Sequence, residues 1–382
     1  MSEPTPLYPV SRIHLDRLTD AFGIREHAIG SEPDPTHGYC TDDVARALEV
    51  DLLHARTLGW PAVAGSAWRS LRFLGEAFDD LTGRFRNVRR SDGSWVPGPA
   101  SDDSQGRAML GLSAAIATAP DGRMVAAATS LFLEALPQVQ RVGAIRARAS
   151  VILACDAVHR ANPSRETAAA HRLLATDLMR TFRGAAEEDP AWPWPDGRLT
   201  YENTRPARAL IVAGRSLGST AMLDLGISVL DWLIAAQTAE DGHFSPIGNG
   251  WWTRGEPKAT FDQQPIEATS MLLGAEAALA ATGDRRYAEV MECAYAWFLG
   301  ANDLDLAVAD PIRGASYDGL TPTGVNTNQG AESTLMWLTA LEHMREARRE
   351  PAVDVAVEPA IEAEADADAA VVAAPPLVGA SR

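Results

Sequence analysis

The stretch Thr41-Asp42-Asp43-Val44-Ala45-Arg46 begins with a hydroxyl and two acids and leads into an apolar pattern of helical period. Small polar and acidic residues just before such a pattern indicate the N-terminus of a helix. Four further stretches combine acids or amides with the start of a helix: Ser101-Asp102-Asp103-Ser104-Gln105-Gly106-Arg107, Tyr201-Glu202-Asn203-Thr204-Arg205, Asp262-Gln263-Gln264-Pro265-Ile266-Glu267 and Asn326-Thr327-Asn328-Gln329-Gly330-Ala331-Glu332. This recurrence indicates a structural repeat.

Apolar residues recur with helical period over twelve segments, which group into six pairs. The segments are about 11–24, 41–57, 64–79, 102–119, 124–138, 142–161, 166–183, 202–217, 220–236, 263–282, 285–299 and 328–347. The second helix of a pair is rich in small residues such as Ala114 and Ala115, whereas the first carries bulkier ones such as Trp68 and Leu71. A helical hairpin buries its apolar face only against its neighbours. We therefore expect a closed ring, with the second helices inside and their N-termini converging on one mouth.

The ring is expected to occupy residues 1–348. After about Arg349 the chain consists of alanine, valine, proline and acids without helical or strand period. Such a composition predicts an acidic disordered tail over residues 349–382 that serves solubility.

Composition excludes several classes of function. The net charge of −17 argues against a nucleic-acid partner, which would demand a basic surface, and favours a neutral substrate. No apolar run reaches the roughly 20 residues that a membrane span needs. Three scattered cysteines, Cys40, Cys155 and Cys293, indicate a reducing cytoplasm, and no ligand spacing points to a metal or a cofactor.

The loops that lead into the inner helices are long and hold aromatic residues around Asp-Gly pairs, which signal tight turns or small hairpins. Trp95, Trp192, Trp194, Trp251 and Trp252 all lie in them. An indole in such a loop can present its face to a sugar ring, or it can close the rim of the ring. Both interpretations stay open. The loop histidines His37 and His243 are expected to bind substrate or to support the loops.

The acids at the helix starts are the candidates for catalysis. Glycoside hydrolysis needs one carboxyl group as general acid and a second as base or nucleophile. We assign the acid to Asp43 or Asp103 and the base to Glu202 or Glu267. Asp42 and Asp102 are expected either to bind substrate or, equally well, to cap their helices. The remaining expected substrate-binding residues are polar or aromatic and lie near these acids: Tyr39, Arg46, Arg107, Tyr201, Asn203, Asp262, Gln263, Gln264, Asn328, Gln329 and Glu332.

The same stretches resemble a known family. His37-Gly38-Tyr39-Cys40-Thr41-Asp42-Asp43-Val44-Ala45-Arg46-Ala47-Leu48 is similar to the segment that opens the six-hairpin glycosidase-like proteins often found beside, or fused to, glycosyltransferases. Four further motifs match in order, at residues 101–107, 199–205, 261–268 and 318–333, so the resemblance covers about residues 30–345. Val44 and Glu202 depart from it, because the family pattern has Asn and Asp there. The resemblance implies an all-α fold, an (α/α)6 toroid, and activity on sugars.

Three functions remain in competition. The first is a glycoside hydrolase, expected to invert, that acts on a neutral oligosaccharide such as a mannoside or glucoside. The second is a sugar epimerase or polysaccharide lyase on the same ring, which would use His or Tyr as proton carrier. The third is a non-catalytic carbohydrate-binding partner of a glycosyltransferase. A transferase activity of its own is not expected, since no Gly-rich phosphate loop or nucleotide-binding βαβ pattern occurs.

Overall fold

The computed structural model describes residues 5–349 of the chain. Within this range it contains twelve α-helices and a 3-10 helix at Leu136–Arg141. The α-helices are α1 Ile13–Leu18, α2 Thr41–Leu58, α3 Trp60–Ala77, α4 Asp102–Thr118, α5 Gly122–Ala135, α6 Ile145–Ala161, α7 Arg165–Glu188, α8 Thr204–Ser216, α9 Thr220–Ala236, α10 Pro265–Thr282, α11 Arg286–Phe298 and α12 Ala331–Ala347. The tail predicted for residues 349–382 lies, apart from Arg349, outside the described residues.

The even-numbered helices form a closed inner ring. Each of α2, α4, α6, α8 and α10 packs against the next, and α12 packs back against α2. The outer layer consists of α3, α5, α7, α9 and α11, together with α1, which contacts α12. This is the (α/α)6 toroid that the resemblance predicts, and the prediction of the fold is confirmed.

The helices pair into hairpins differently from the prediction, which joined each outer helix to the inner helix that follows it. Each of α3, α5, α9 and α11 packs mainly against the inner helix that precedes it, not against the one that follows. The connection from α2 to α3 is Gly59 alone, in a left-handed conformation (φ 84°) that favours glycine. Such short returns force consecutive helices together. Most of the long loops run from an outer helix to the next inner helix, as predicted.

Small residues bring the inner helices into backbone contact. A Cβ atom at Gly106 of α4 would lie 2.9 Å from the carbonyl oxygen of Ala147 in α6. A Cβ atom at Gly111 would lie 3.0 Å from the carbonyl oxygen of Ala45 in α2. The expected role of small side chains in a tightly packed inner ring is therefore met at these two positions.

Short antiparallel strand pairs, each of two strands, organise most of the long loops. The pairs are β1 Ala28–Ile29 with β2 Glu32–Pro33, β3 Tyr39–Cys40 with β6 Val88–Arg89, β4 Phe78–Asp79 with β5 Arg84–Phe85, β7 Arg198–Leu199 with β8 Trp252–Thr253, β9 Ala309–Asp310 with β10 Ala315–Ser316, and β11 Gly319–Thr321 with β12 Gly324–Asn326. Gly93 (φ 86°) and Gly242 (φ 94°) turn the chain at two of the predicted Asp-Gly positions. The strands fix the loops that surround the inner-helix N-termini.

Candidate functional site

The N-termini of the inner helices and their preceding loops enclose a cavity of about 500 Å³, which we call the mouth. Seven of the predicted site residues line it: Asp42, Asp43, Arg46, Asp103, Tyr201, Gln264 and Glu332. Its other lining residues are Glu26, His27, Cys40, Asp318, Asn326, Gly330 and Ser333. Six carboxyl groups and one guanidinium therefore share one cavity, so the mouth is acidic.

Asp43, in the first turn of α2, is the buried acid of the mouth. The residue is only 4% exposed, and its Oδ1 accepts a hydrogen bond of 2.6 Å from Arg46. Burial raises the pKa of Asp43 to about 7, although Arg46 acts in the opposite direction. Burial also raises the pKa of the neighbouring Asp42. At neutral pH Asp43 therefore holds a proton for a substantial part of the time.

Asp103, in the first turn of α4, is held from across the ring. The hydroxyl of Tyr201 donates a short hydrogen bond to its Oδ2. Arg146, from α6, lies with its guanidinium carbon 4.7 Å from the centre of the Tyr201 ring and donates to the Tyr201 carbonyl. The third inner helix, which the sequence leaves without an acid, thus contributes a cation that positions Tyr201.

Glu202 lies below the mouth as the centre of a buried ion cluster. Its two carboxylate oxygens accept hydrogen bonds from Arg107 of α4 and Arg205 of α8. Burial acts to raise the pKa of Glu202, but the two guanidinium groups outweigh it and lower the pKa to about 2. The backbone of Glu202 adopts a left-handed conformation (φ 45°), which is uncommon for a residue with a side chain.

Glu267, in the first turn of α10, is tied to the same cluster. Its Oε1 accepts the backbone N–H of Glu202, and its Oε2 lies 3.5 Å from the Asn203 amide nitrogen. Burial raises the pKa of Glu267 to about 8. Glu202 lines a cavity on the far side of the cluster, and Glu267 is not among the residues that line the mouth. The structure therefore separates the two predicted bases from the two predicted acids.

Several other candidates have structural partners. Asp102 accepts the backbone N–H groups of Gly143 and Ala144 at 2.8 and 2.9 Å, so it joins α4 to the start of α6. The helix cap there is Ser101, which accepts from the Ser104 N–H. Tyr39 is fully buried and donates its hydroxyl proton to Asp20 at 2.6 Å.

The amides of the last two motifs also brace loops. Gln263 is fully buried and hydrogen-bonds through its side chain to Thr260, Asp303 and Trp297. Asn328 accepts from the backbone of Gly30, whose carbonyl in turn accepts from the buried Gln329. Asp262, by contrast, is exposed, with a left-handed backbone (φ 59°). These contacts fix the rim of the mouth.

The loop tryptophans are engaged in packing. Trp192 packs edge-on against Trp252, which stacks on Trp232 of α9 with ring centres 5.7 Å apart. Trp194 packs on Phe182 and Trp95 on Phe73, and the Arg198 guanidinium covers Trp251 at 4.1 Å. Of the two interpretations of these indoles, closure of the rim is the one that these contacts support.

The histidines divide between two loops. His37 packs edge-on against His27, with ring centres 4.5 Å apart, and His27 lines the mouth. His243, in the loop before α10, instead contacts Asp241 of the same loop and Asp303 of the segment that follows α11. The candidates named from the sequence did not include Glu26, His27 and Asp318, which precede α2 and α12 by more than ten residues, although Asp318 opens the last matching motif. Their position in loops leading to inner helices was the available signal.

Among residues 5–349, no group of three or more His, Cys, Asp or Glu side chains is arranged to hold a metal ion. In the same residues, no helix is both long and apolar enough to cross a membrane.

Comparison with solved structures supports the fold independently. A sugar epimerase from a ruminal bacterium superposes with a TM-score of 0.68 at 13% identity, covering 86% of this chain and 94% of the epimerase. The cellobiose 2-epimerase of Spirochaeta thermophila gives 0.68 at 14% identity over 87% and 93%. The GH76 α-mannanase of Bacteroides thetaiotaomicron gives 0.57 at 9% identity over 81% and 87%. No protein-family model and no curated protein sequence matches the chain. The chain thus shares the (α/α)6 toroid fold with these structures.

Proposed function

We propose that the chain is a glycoside hydrolase that cleaves a neutral oligosaccharide, a mannoside or a glucoside, at the mouth. The observation that carries this proposal is Asp43, a buried carboxyl group that opens on the mouth and has a pKa of about 7. A general acid works best when its pKa lies near the working pH. Asp43 would protonate the glycosidic oxygen as the bond to the leaving sugar breaks.

The partner carboxylate in this proposal is Asp103, not Glu202 or Glu267. Both oxygens of Glu202 are occupied by arginines, and the pKa of about 8 leaves Glu267 mainly protonated at pH 7, so neither fits a base. Asp103 lines the same cavity as Asp43 and accepts the Tyr201 hydroxyl with one oxygen. Its other oxygen would direct a water molecule, or attack the sugar itself.

The test is hydrolysis of a defined panel of manno- and gluco-oligosaccharides, followed through the release of new reducing ends. We expect Asp43→Asn and Asp103→Asn to lower kcat by roughly 10²- to 10⁴-fold. Asp224→Asn is the matched control, because Asp224 is exposed on the outer helix α9. Full activity of both mouth variants would disprove the assignment. Oligosaccharide binding without turnover would instead favour a non-catalytic partner of a glycosyltransferase.

A sugar epimerase or isomerase is the second candidate, and His27 favours it. This histidine lines the mouth against His37, where it can carry a proton to or from a sugar carbon. NMR analysis of the products separates the two candidates. A hydrolase shortens the oligosaccharide, and the anomer released first reports inversion or retention. An epimerase keeps the chain length and changes one stereocentre, and His27→Gln would abolish that change.

We place this activity in the cytoplasm. Cys40, Cys155 and Cys293 are all free thiols, which fits a reducing compartment.

A further inference from the structure

A second cavity, of about 560 Å³, lies inside the inner ring beyond the buried ion cluster of Glu202. We call it the axial cavity. Its lining runs from Arg107 and Arg205 in the first two turns of inner helices to Thr118 and Ala161 at or near their last residues. Thr118 and Ala161 are exposed to solvent, so the cavity opens at the end of the ring away from the mouth.

The axial cavity is basic, in contrast to the mouth and to the chain as a whole. Five arginines line it, against three carboxylates, in a chain of net charge −17. The arginines are Arg46, Arg107, Arg160, Arg205 and Arg208, and the carboxylates are Glu49, Asp156 and Glu202. Five positive charges less three negative charges leave an excess of two on the lining. Such a concave basic surface attracts small anions.

Four of the five arginines already have partners. Arg46 pairs with Asp43 and Glu332 at 2.6 and 2.7 Å on the side of the mouth. Arg107 and Arg205 share Glu202. Arg160, at the open end, pairs with Asp156 at 2.8 Å. The fifth arginine is therefore the one that distinguishes this cavity.

Arg208, in the middle of α8, makes no hydrogen bond or ion pair with any residue from 5 to 349. Its Nε is shielded from solvent and lacks a hydrogen-bond partner. Glu49, Glu276 and Glu202 attract it only at longer range, and burial lowers its pKa. The residue is only partly buried and lines the cavity, so it presents a cation without a close counter-charge to a ligand from outside the chain.

Glu49 and Glu276, the nearest carboxyl groups other than Glu202, do not supply that partner. The Oε1 of Glu49 is itself buried without a hydrogen bond, and burial raises the pKa of Glu49. Glu276 is engaged with His343, whose Nδ1 lies 2.9 Å from its Oε1. The positive charge of Arg208 thus faces the cavity without a close counter-charge.

We propose that the axial cavity binds a small oxyanion, the phosphate or carboxylate group of a small metabolite, with Arg208 as its principal ligand. A guanidinium group offers parallel N–H donors that match the oxygens of either anion. The volume of about 560 Å³ lies in the range of small-molecule sites and leaves room for a group attached to the anion. The bound anion would lie beside Arg107 and Arg205, the two arginines of the buried ion cluster that separates the axial cavity from the mouth.

The experiment measures anion binding alone, so its outcome does not depend on whether the protein is a hydrolase. Isothermal titration of the full-length protein with inorganic phosphate and, separately, with malonate distinguishes a phosphate from a carboxylate site. We expect saturable binding of at least one of them, with one anion per chain. The absence of saturation for both up to about 10 mM would overturn the proposal, since such a site contributes under about 3 kcal/mol.

Arg208→Gln is the decisive variant, and Arg215→Gln is its matched control. Arg215 is an exposed arginine in the last turn of the same helix. We expect Arg208→Gln to weaken anion binding at least about tenfold and Arg215→Gln to change it less than about twofold. Equal binding by wild type and Arg208→Gln would refute the role of Arg208.

Stability separates this proposal from a purely structural role. Because Arg208 has no close partner, Arg208→Gln should leave the Tm of the ligand-free protein unchanged or raise it, and should abolish the rise in Tm with anion. A lower Tm without ligand would mean that Arg208 serves the packing of the ring and would contradict the proposal. Arg160→Gln, at the exposed rim, should weaken anion binding several-fold, and unchanged binding would also count against the proposal.

Discussion

The role of Glu202 is determined by the residues around it and not by its position in the sequence pattern. It stands beside amides at the start of an inner helix, which is where a substrate-binding acid is expected. Arg107 and Arg205 nonetheless hold both of its carboxylate oxygens, and the residue is only 3% exposed. Its backbone N–H also holds Glu267. Through its side chain and its backbone N–H, this one residue therefore connects α4, α8 and α10 beneath the mouth.

Replacing Glu202 by glutamine should strongly destabilise the ring. Within residues 5–349, Glu202 is the one carboxylate that pairs with the buried Arg107 and Arg205. Breaking such a buried cluster costs about 3–5 kcal/mol. Denaturant unfolding measures this loss. Glu332→Gln is the control, because Glu332 also pairs with an arginine but is 37% exposed, and the expected cost is about 1 kcal/mol or less. Equal losses in the two variants would contradict the structural role of Glu202.

Glu267 should make stability fall as the pH rises. Its folded pKa of about 8 lies above the ordinary 4.5, so between these values the folded state binds more protons than the unfolded state. The free energy of unfolding then decreases with pH across this window. Glu267→Gln mimics the protonated form and keeps an oxygen for the Glu202 N–H. Its unfolding free energy should lack this part of the slope, and an unchanged slope would refute the shifted pKa.

Asp43 should set the alkaline limb of the pH–rate profile if it is the general acid. The protonated form is lost as the pH rises through about 7, so kcat/KM should fall above that value. Replacing Arg46 by methionine removes the positive charge that acts against burial, so the limb should move to higher pH. A limb that stays in place would show that another group donates the proton.

The sequence predicted which end of the ring carries the acids, but not which acids face the cavity. The apolar periodicity identifies the helix starts that hold the adjacent pairs Asp42-Asp43 and Asp102-Asp103. Whether a carboxylate points to the mouth or meets an arginine depends on helices far apart in sequence. The pair of Glu202 with Arg107 spans 95 residues. No local pattern indicates such a contact, and the same holds for Asp103 with Tyr201.

At the scale of the elements, glycine decides how closely two inner helices approach. Gly106 of α4 meets the Ala147 backbone of α6, where a Cβ would lie within 3.0 Å of two backbone atoms. Gly65 of the outer helix α3 has open space instead. Both glycines are helical, so the same substitution tests the difference between the two rings.

Gly106→Ala should destabilise the protein, whereas Gly65→Ala should stabilise it. Alanine is favoured over glycine in a helix by up to about 1 kcal/mol, and this gain is realised only where the methyl group fits. At Gly106 the added methyl group forces α4 and α6 apart, and overpacking costs about 1–3 kcal/mol. Thermal unfolding of the two variants checks the sign. Stabilisation by both would mean that the inner helices are not in backbone contact.

The elements themselves were largely predictable, since periodicity identified all twelve helices and their long connecting loops. The inner helix against which each outer helix packs was not predictable. Both helices of a pair are amphipathic, so the apolar pattern fits either neighbour equally well. The length of the connection decides which neighbour a helix packs against, because the single residue Gly59 between α2 and α3 brings these two helices together.

At the scale of the whole molecule, contacts among α1, α2, α12 and the segments beside them close the ring. Arg12, just before α1, reaches α2 and pairs with Asp51 at 2.7 Å, and Asp51 is fully buried. The Nε2–H of His14 donates a hydrogen bond of 2.8 Å to the carbonyl oxygen of Gln329, in the loop before α12. Thr57 of α2 donates to Glu342 of α12. A solenoid with free ends could unfold repeat by repeat, whereas these contacts tie the first and last hairpins together.

Replacing Arg12 tests whether the closure of the ring contributes to stability. Arg12→Gln leaves the buried carboxyl of Asp51 without its cation, and we expect a loss of about 3 kcal/mol or more in the free energy of unfolding. Arg17→Gln is the control in the same segment, because Arg17 pairs with Glu32 on the surface and its loss should cost about 1 kcal/mol or less. Unfolding in urea, followed by circular dichroism and by tryptophan fluorescence, should give one coincident transition in wild type and in both variants. Separate transitions for the two signals, or equal losses in the two variants, would show that the ring does not depend on this closure.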